Sequence, residues 1–401
     1  MVACPGGRDK GATKDVRAPV VLGLDFGGSK IAAAVADLSG ERIADRTVET
    51  HPALGARWNL DHGLRTACAL LEEVAPERQL VAVGACTFGI PVAQGVDLAP
   101  AILGWGELAL GHELAAMFEG SAVRLGTDVK AAAAAEAFSG ALVGHDPAIY
   151  LNLGTGLAVA IVCGGQVVSG ANGAAGEIGY NLRQLSDLGL SERVVLEEVV
   201  SGMGLAAAGE RTTGRAMSAA EVFAGELADP RLGEVMEQFV QELGFHLANL
   251  AVALDPSRIA VGGGIVRSWE RLRPSLQRAL EKAVPFPPEL VVGAYPFDAP
   301  LVGALNLALA AAAERIVGAR DGGLAQSAQL ASIPRDGLGH DRHTGLNQAS
   351  QVQTSAEEPR RHGTRSMDLS GAPVFDRSEK VERKPCYPSS HATTIPLGWC
   401  L

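Results

Sequence analysis

Between Val20 and about Arg315, short apolar runs alternate with longer stretches of helical spacing, a pattern that predicts an α/β protein. VVLGLDFGG (20–28) reads as a buried strand ending in a glycine turn. KIAAAVADLSGERIADRTVET (30–50) reads as two more strands joined by the turn Leu38-Ser39-Gly40-Glu41. Residues 60–74 have helical spacing, and LVAVGACTFGIPV (80–92) is a strand entering a Gly/Pro loop. In LGTDVKAAAAAEAF (125–138) an apolar run ends at Gly126 and five alanines follow Lys130. Alanine is the best helix former, so a helix is expected from about residue 129, with Asp128 as a favoured N-cap. A second strand pair spans 148–168, with turns at GTG and GG. A long amphipathic helix covers 231–254, RIAVGGGIV (258–266) is a strand running into glycines, and 301–316 is an alanine-rich helix. Strand–turn–strand with glycines at 20–36 is echoed at 148–168, which suggests two related halves.

The ends of the chain differ from its middle. Residues 1–19 read as a flexible leader that is charged, lacks an apolar core and is no signal peptide. From about residue 320 to 401, Ser, Gln, Pro, Gly, Arg and His dominate, and a disordered tail is expected. With 401 residues and 47% apolar content, two sizeable cores are possible. Aromatics are only 4%, which disfavours large stacking platforms. A net charge of 34 − 45 = −11 argues against nucleic-acid or anionic-membrane binding, and no apolar stretch is long enough for a membrane span. The six cysteines form no C-x-x-C pair, so neither a disulfide framework nor a cysteine zinc site is expected, and a reducing cytoplasm fits.

Four features carry candidate chemistry. Asp25-Phe26-Gly27-Gly28-Ser29-Lys30 lies between two strands. Its glycines let backbone N–H groups approach a phosphate, and Asp25 can hold Mg²⁺ directly or through water. An ordinary tight hairpin would look the same. Leu153-Gly154-Thr155-Gly156-Leu157 is a second such turn, neither a Walker A loop nor a Rossmann fingerprint. Gly262, Gly263 and Gly264 end a strand, where a flat ring can lie against the backbone. Asp128, Glu177 and Glu197 sit at turns from which three carboxylates could converge on a polyol. Solvated loop acids are the plain alternative, and Glu198 competes with Glu197.

In order and spacing these motifs resemble the ROK family of sugar kinases, repressors and open reading frames. The resemblance runs from about Val20 to Ala313 and is strongest in DFGGSK, GTDVKAAAAAE, LGTGLAVAIVCGGQVVSGANGAAGEIG, DPSRIAVGGGIV and DAPLVGA. It implies the two-lobed actin-like, ribonuclease H-like ATPase fold, with a nucleotide and sugar cleft between the lobes. The small lobe would be 20–124 completed by the helix at 301–316, and the large lobe 125–300. It also implies ATP and Mg²⁺. The phosphates would lie on Gly27, Gly28, Ser29, Lys30, Gly154, Thr155 and Gly156, with adenosine by Gly262 and Gly263 and the magnesium anchored by Asp25. Asp128 would be the general base that accepts a proton from a sugar's primary hydroxyl, with Thr127, Glu177, Tyr180 and Glu197 around the sugar. A homodimer and a cytoplasmic location are expected on the same ground.

The departures from the family pattern cluster on the sugar side. Thr127 stands where the family usually has Asn before the catalytic Asp, and Ala101 where Asn precedes the Leu-Gly-Trp stretch. Tyr180 replaces a zinc-binding His, and residues 181–196 hold no cysteine, so no structural zinc is expected. Losing two amides points away from glucose or N-acetylmannosamine, toward kanosamine (3-amino-3-deoxyglucose) in antibiotic biosynthesis. A glucokinase or C7-cyclitol kinase is the alternative within the family, with polyphosphate as an alternative donor. A non-catalytic sugar-sensing regulator is the alternative of another class. A repressor would need a helix-turn-helix ahead of Val20, where only 19 residues stand.

Overall fold

The computed structural model describes residues 18–329, the last fourteen (316–329) as backbone only. In chain order the elements are β1 (Val20–Phe26), β2 (Lys30–Asp37), β3 (Arg42–Glu49), α1 (Gly55–Val74), β4 (Leu80–Thr87), β5 (Ile90–Val92), β6 (Gly95–Asp97), α2 (Leu110–Met117), β7 (Ala122–Thr127) and α3 (Asp128–Ser139). There follow β8 (Ala148–Leu153), β9 (Leu157–Cys163), β10 (Gln166–Val167), α4 (Gly202–Thr213), α5 (Ala219–Gly225), α6 (Pro230–Leu254), β11 (Arg258–Gly262), α7 (Trp269–Ala283), β12 (Glu289–Val292) and α8 (Ala299–Gln329).

Two five-stranded sheets have the same plan: β3-β2-β1-β4-β7 and β10-β9-β8-β11-β12. In each, the first two neighbour pairs are antiparallel and the last two parallel. The parallel register puts Asp25 beside Cys86 and Cys86 beside Gly126 in the first sheet. In the second it puts Asn152 beside Gly262. The chemistry-bearing turns therefore collect at the carboxyl ends of the parallel strands, where open α/β sheets bind ligands.

α1 and α2 cover one face of the first sheet around Leu60, Trp105 and Leu110. α4, α6 and α7 bury the larger apolar cluster of the second sheet. The other faces take the two alanine-rich helices, exchanged between the halves. α3 leaves the first sheet and packs on the second, and α8 follows the second and packs on the first. Small residues permit this. A Cβ on Gly84 of β4 would lie 2.0 Å from the Ala304 carbonyl of α8, and one on Gly303 would lie 2.1 Å from the Ala131 carbonyl of α3.

Several expectations shift. α3 starts at Asp128, but its N-cap is Thr127, whose Oγ1 accepts from the Lys130 N–H at 3.2 Å. Adjacent Thr and Asp are both competent caps, and the extended backbone falls on the threonine. The Gly/Pro loop after β4 is itself a small hairpin, β5–β6. The alanine-rich helix expected over 301–316 runs on as α8 to Gln329, because Ala, Leu, Gln and Arg continue to favour helix past the point where apolar spacing fades. The remainder of the expected tail, 330–401, and most of the leader, 1–17, lie outside the described residues. Cys86 is a buried free thiol and Cys163 an exposed one. Among the described residues no helix is long and apolar enough to cross a membrane.

Candidate active site

β1 and β2 turn at Gly27-Gly28-Ser29, and β8 and β9 at Gly154-Thr155-Gly156. The tips of the two turns meet: Ser29 Oγ lies 2.8 Å from Thr155 Oγ1 although 126 residues separate them in sequence. The N–H groups of Gly28, Ser29, Thr155 and Gly156 donate to no group among the described residues. Four free N–H donors and two hydroxyls at facing turns are a donor set that fits a chain of phosphates. Gly263, at φ 97°, packs on the second turn, where a Cβ would lie 2.4 Å from the Leu153 carbonyl. Gly262 lies against the Tyr150 ring. The Lys30 ammonium donates to the Phe297 carbonyl at 2.7 Å, tying β2 to the loop before α8.

The acids lie beneath these turns. Asp25 is 4% exposed, and burial raises its pKa to about 6 against the opposing pull of Lys30 and the Cys86 thiol, which lies 3.5 Å from Oδ1. A buried carboxylate with no cation bound to it among the described residues is the hard oxygen donor that Mg²⁺ prefers. Asp128 is the first residue of α3, and its Oδ1 accepts from the Val129 N–H at 2.8 Å. Burial raises its pKa to about 7, with repulsion from Asp25 and Glu177 adding to the shift. Asp25, Asp128 and Glu177 thus share one electrostatic neighbourhood.

Glu177 is half-buried, and burial pushes its carboxyl up, Lys130 opposing and Glu197 adding. Glu197 and Glu198 separate clearly. Glu197 Oε2 accepts from the Leu157 N–H at 2.7 Å and flanks Gly156, where a Cβ would lie 2.5 Å from it. Glu198 caps its own turn by accepting from the Val195 N–H. Tyr180 is exposed, and its hydroxyl feels burial first and then Glu197 and Glu177. Thr127 is buried and occupied as a cap, and its hydroxyl donates to no group among the described residues. Ala101 Cβ would lie 3.7 Å from a Cβ on Gly28, which brings the Leu-Gly-Trp loop to the cleft. Cys86 and Lys130 are neighbours that sequence reading missed. Cys86 would have needed the strand register, but a lone lysine opening an alanine run was a visible signal.

Two cavities of about 650 and 610 Å³ lie elsewhere, one beside His112 and Val123, the other between α6 and α7. None of the candidate residues lines either, so the chemistry rather than cavity size locates the site. Among the described residues no group of three or more His, Cys, Asp or Glu is placed to hold a metal ion.

Two sheets of one plan, two exchanged helices and paired glycine turns define the class: the actin-like ATPase fold. The ROK family profile matches residues 21–311, and the chain belongs to that family. Among its relatives, a glucokinase of Halalkalibacterium halodurans is 27% identical over 65% of this chain and 84% of its own length. An N-acetyl-D-glucosamine kinase of Pasteurella multocida is 28% identical over 64% of this chain and 88% of its own length. The structure of a ROK glucokinase from Streptomyces griseus, in complex with glucose and AMPPNP, aligns with a TM-score of 0.59 at 26% identity, covering 72% of this chain and 99% of its own. A ROK hexokinase from Thermus thermophilus aligns with the same TM-score at 28% identity, covering 72% of this chain and 97% of its own.

Proposed function

We propose that this ROK protein is an ATP-dependent sugar kinase that phosphorylates the primary (6-) hydroxyl of a hexose or amino-hexose. The observation that carries the reading is Asp128: an acid at a helix start, recessed beside Asp25 and Glu177 and next to two turns that present four free N–H groups. Sugar kinases among the relatives support the same class.

Gly27, Gly28 and Ser29 face Gly154, Thr155 and Gly156 as the phosphate cradle, with Gly262 and Gly263 on the adenosine side. Bound ATP with Mg²⁺ would supply the phosphoryl group and a positive charge, and Asp25 would hold the metal directly or through water.

 

Asp25 is the magnesium anchor in this reading, directly or through one water. Asp128 accepts the proton of the primary hydroxyl as that oxygen attacks. Its pKa of about 7 suits a base that works near neutrality. Phosphoryl transfer depends mainly on positioning and charge neutralisation, so a weak base suffices. Glu177 and Glu197 accept sugar hydroxyls, with Tyr180 and the Thr127 hydroxyl completing the ring of contacts. Closure of the lobes, drawn at 20–124 and 125–300, would exclude water.

Kanosamine is the substrate we favour, in antibiotic biosynthesis. Thr127 and Ala101 stand where amides would serve hydroxyls, and an ammonium at C3 favours the carboxylates that remain. Glucose and C7 cyclitols are the competing substrates. A cytoplasmic homodimer completes the proposal, which light scattering of the purified protein tests. ADP release with Mg²⁺ is measured across glucose, glucosamine, N-acetylmannosamine, kanosamine and a C7 cyclitol, with Asp128→Ala alongside. Turnover on kanosamine above the rest, lost in the variant, is expected. A preference for glucose overturns the substrate, and sugar binding without any turnover overturns the kinase in favour of a sensor.

A further inference from the structure

Lys130 stands two residues after Asp128 in the first turn of α3, half-buried, with its backbone N–H already held by the Thr127 cap. Its ammonium does not reach solvent freely. It donates to the Gly173 carbonyl at 2.7 Å, in the turn Gly170–Gly176 that leads directly to Glu177. That turn is wedged from the other side as well. Gly173 has φ 73°, and a Cβ there would lie 2.9 Å from Ile90 Cγ2 of β5. Gly176 has φ 92° and presses on the Val159 carbonyl. The turn is glycine-rich and without regular structure of its own, so a single charged tether has much to fix. Burial pulls the Lys130 ammonium below its ordinary pKa and pushes the Glu177 carboxyl above its own; each opposes the other's shift, and Asp128 adds to the hold on the lysine. Burying a lysine beside acids is costly unless its charge is used.

We infer that Lys130 is a positioning residue for the sugar: its ammonium ties the Gly170–Gly176 turn to the helix that carries Asp128 and so sets Glu177 against the acceptor. This rests on the kinase reading. Removing Lys130 leaves the phosphate turns untouched, so it loosens the sugar and not the nucleotide. A purely structural lysine would weaken both or neither.

The test compares Lys130→Met, Lys130→Gln and Lys130→Arg with the wild-type enzyme, using the best sugar of the panel and ATP–Mg²⁺. Sugar KM, ATP KM and kcat are measured, with the sugar's Kd by calorimetry and the melting temperature as a check on folding. Lys130→Met raises sugar KM and Kd by about tenfold or more, the scale of one lost charge-assisted contact, and leaves ATP KM within about twofold. Lys130→Arg recovers most of the loss, and Lys130→Gln, which keeps a donor without the charge, falls between. Unchanged sugar KM and Kd in a folded Lys130→Met protein overturns the inference, as does an equal rise in both KM values. Wild-type protein that binds sugar without turnover overturns the kinase reading instead, and the calorimetric series still decides the role of Lys130.

Discussion

The two halves of the molecule share a plan and differ in what they do with it. Each sheet turns its first hairpin over glycines, LDFGGSK in one and LNLGTGL in the other, and each ends in an alanine-rich helix entered through an aspartate. Asp25 on β1 corresponds to Asn152 on β8, and Asp128 before the alanines of α3 to Asp298 before α8. The surroundings then part company. Asp298 pairs with Arg42 at 3.0 Å near the surface, while Asp128 is recessed among other acids. One skeleton was used twice, and only the first copy keeps two uncompensated carboxylates. A scaffold therefore does not assign chemistry; the partners of the acid do.

The largest effect should come from the two helix-start acids. Asp128→Ala should cut phosphoryl transfer by about a thousandfold with the fold intact, whereas Asp298→Ala should leave kcat nearly unchanged. Comparable losses in both would mean that the halves are not divided as described.

Next comes the hairpin pair. Asp25→Asn gives β1 the residue type of β8. Activity should fall about ten- to a hundredfold and the Mg²⁺ concentration for half-maximal rate should rise. A loss that added Mg²⁺ does not relieve would remove Asp25 as the anchor.

A pH titration separates the halves more gently. Asp25 and Asp128 titrate at about 6 and about 7 in the folded chain, above their ordinary value of 3.8. Between those limits the folded state holds protons that the unfolded chain has released, so their contribution to stability declines as pH rises. Activity needs ionised Asp128 and should rise through about pH 7. The melting temperature and the rate should therefore move in opposite directions over pH 5 to 8, and Asp128→Asn should flatten part of the melting trend. Parallel curves would contradict the shifts.

The smallest effect belongs to the compensated acid. Asp298→Asn should cost no more than about 1 kcal/mol in denaturant unfolding, because its partner Arg42 is solvent-accessible. A larger cost would show that the pair holds β3 to the loop before α8.

Much of this division was legible in sequence. Apolar runs and glycine punctuation located both hairpins, and the echo between 20–36 and 148–168 became the repeated sheet plan. Thr127 and Asp128 could each have capped α3, and sequence cannot choose between adjacent candidates of similar strength. α7 went unread because its charged surface and Pro274 mask its apolar stripe. The Ser29–Thr155 meeting, the Cys86 register and the Lys130 tether depend on which strands and loops pack together, information that local pattern does not carry. The contact of Lys30 belongs to the same group, since its Phe297 carbonyl partner lies 267 residues away.

Glu136 adds a mechanical consequence. Fully buried in α3, it accepts from the N–H groups of Ala141, Ala294 and Tyr295, so that one carboxylate pins the helix to the loop that enters α8. Asp128 lies eight residues up the same helix, a lever of about 12 Å at 1.5 Å per residue. A rotation of about 10° at the pin would carry the Asp128 backbone by about 2 Å, roughly the difference between a hydrogen-bonded contact and none.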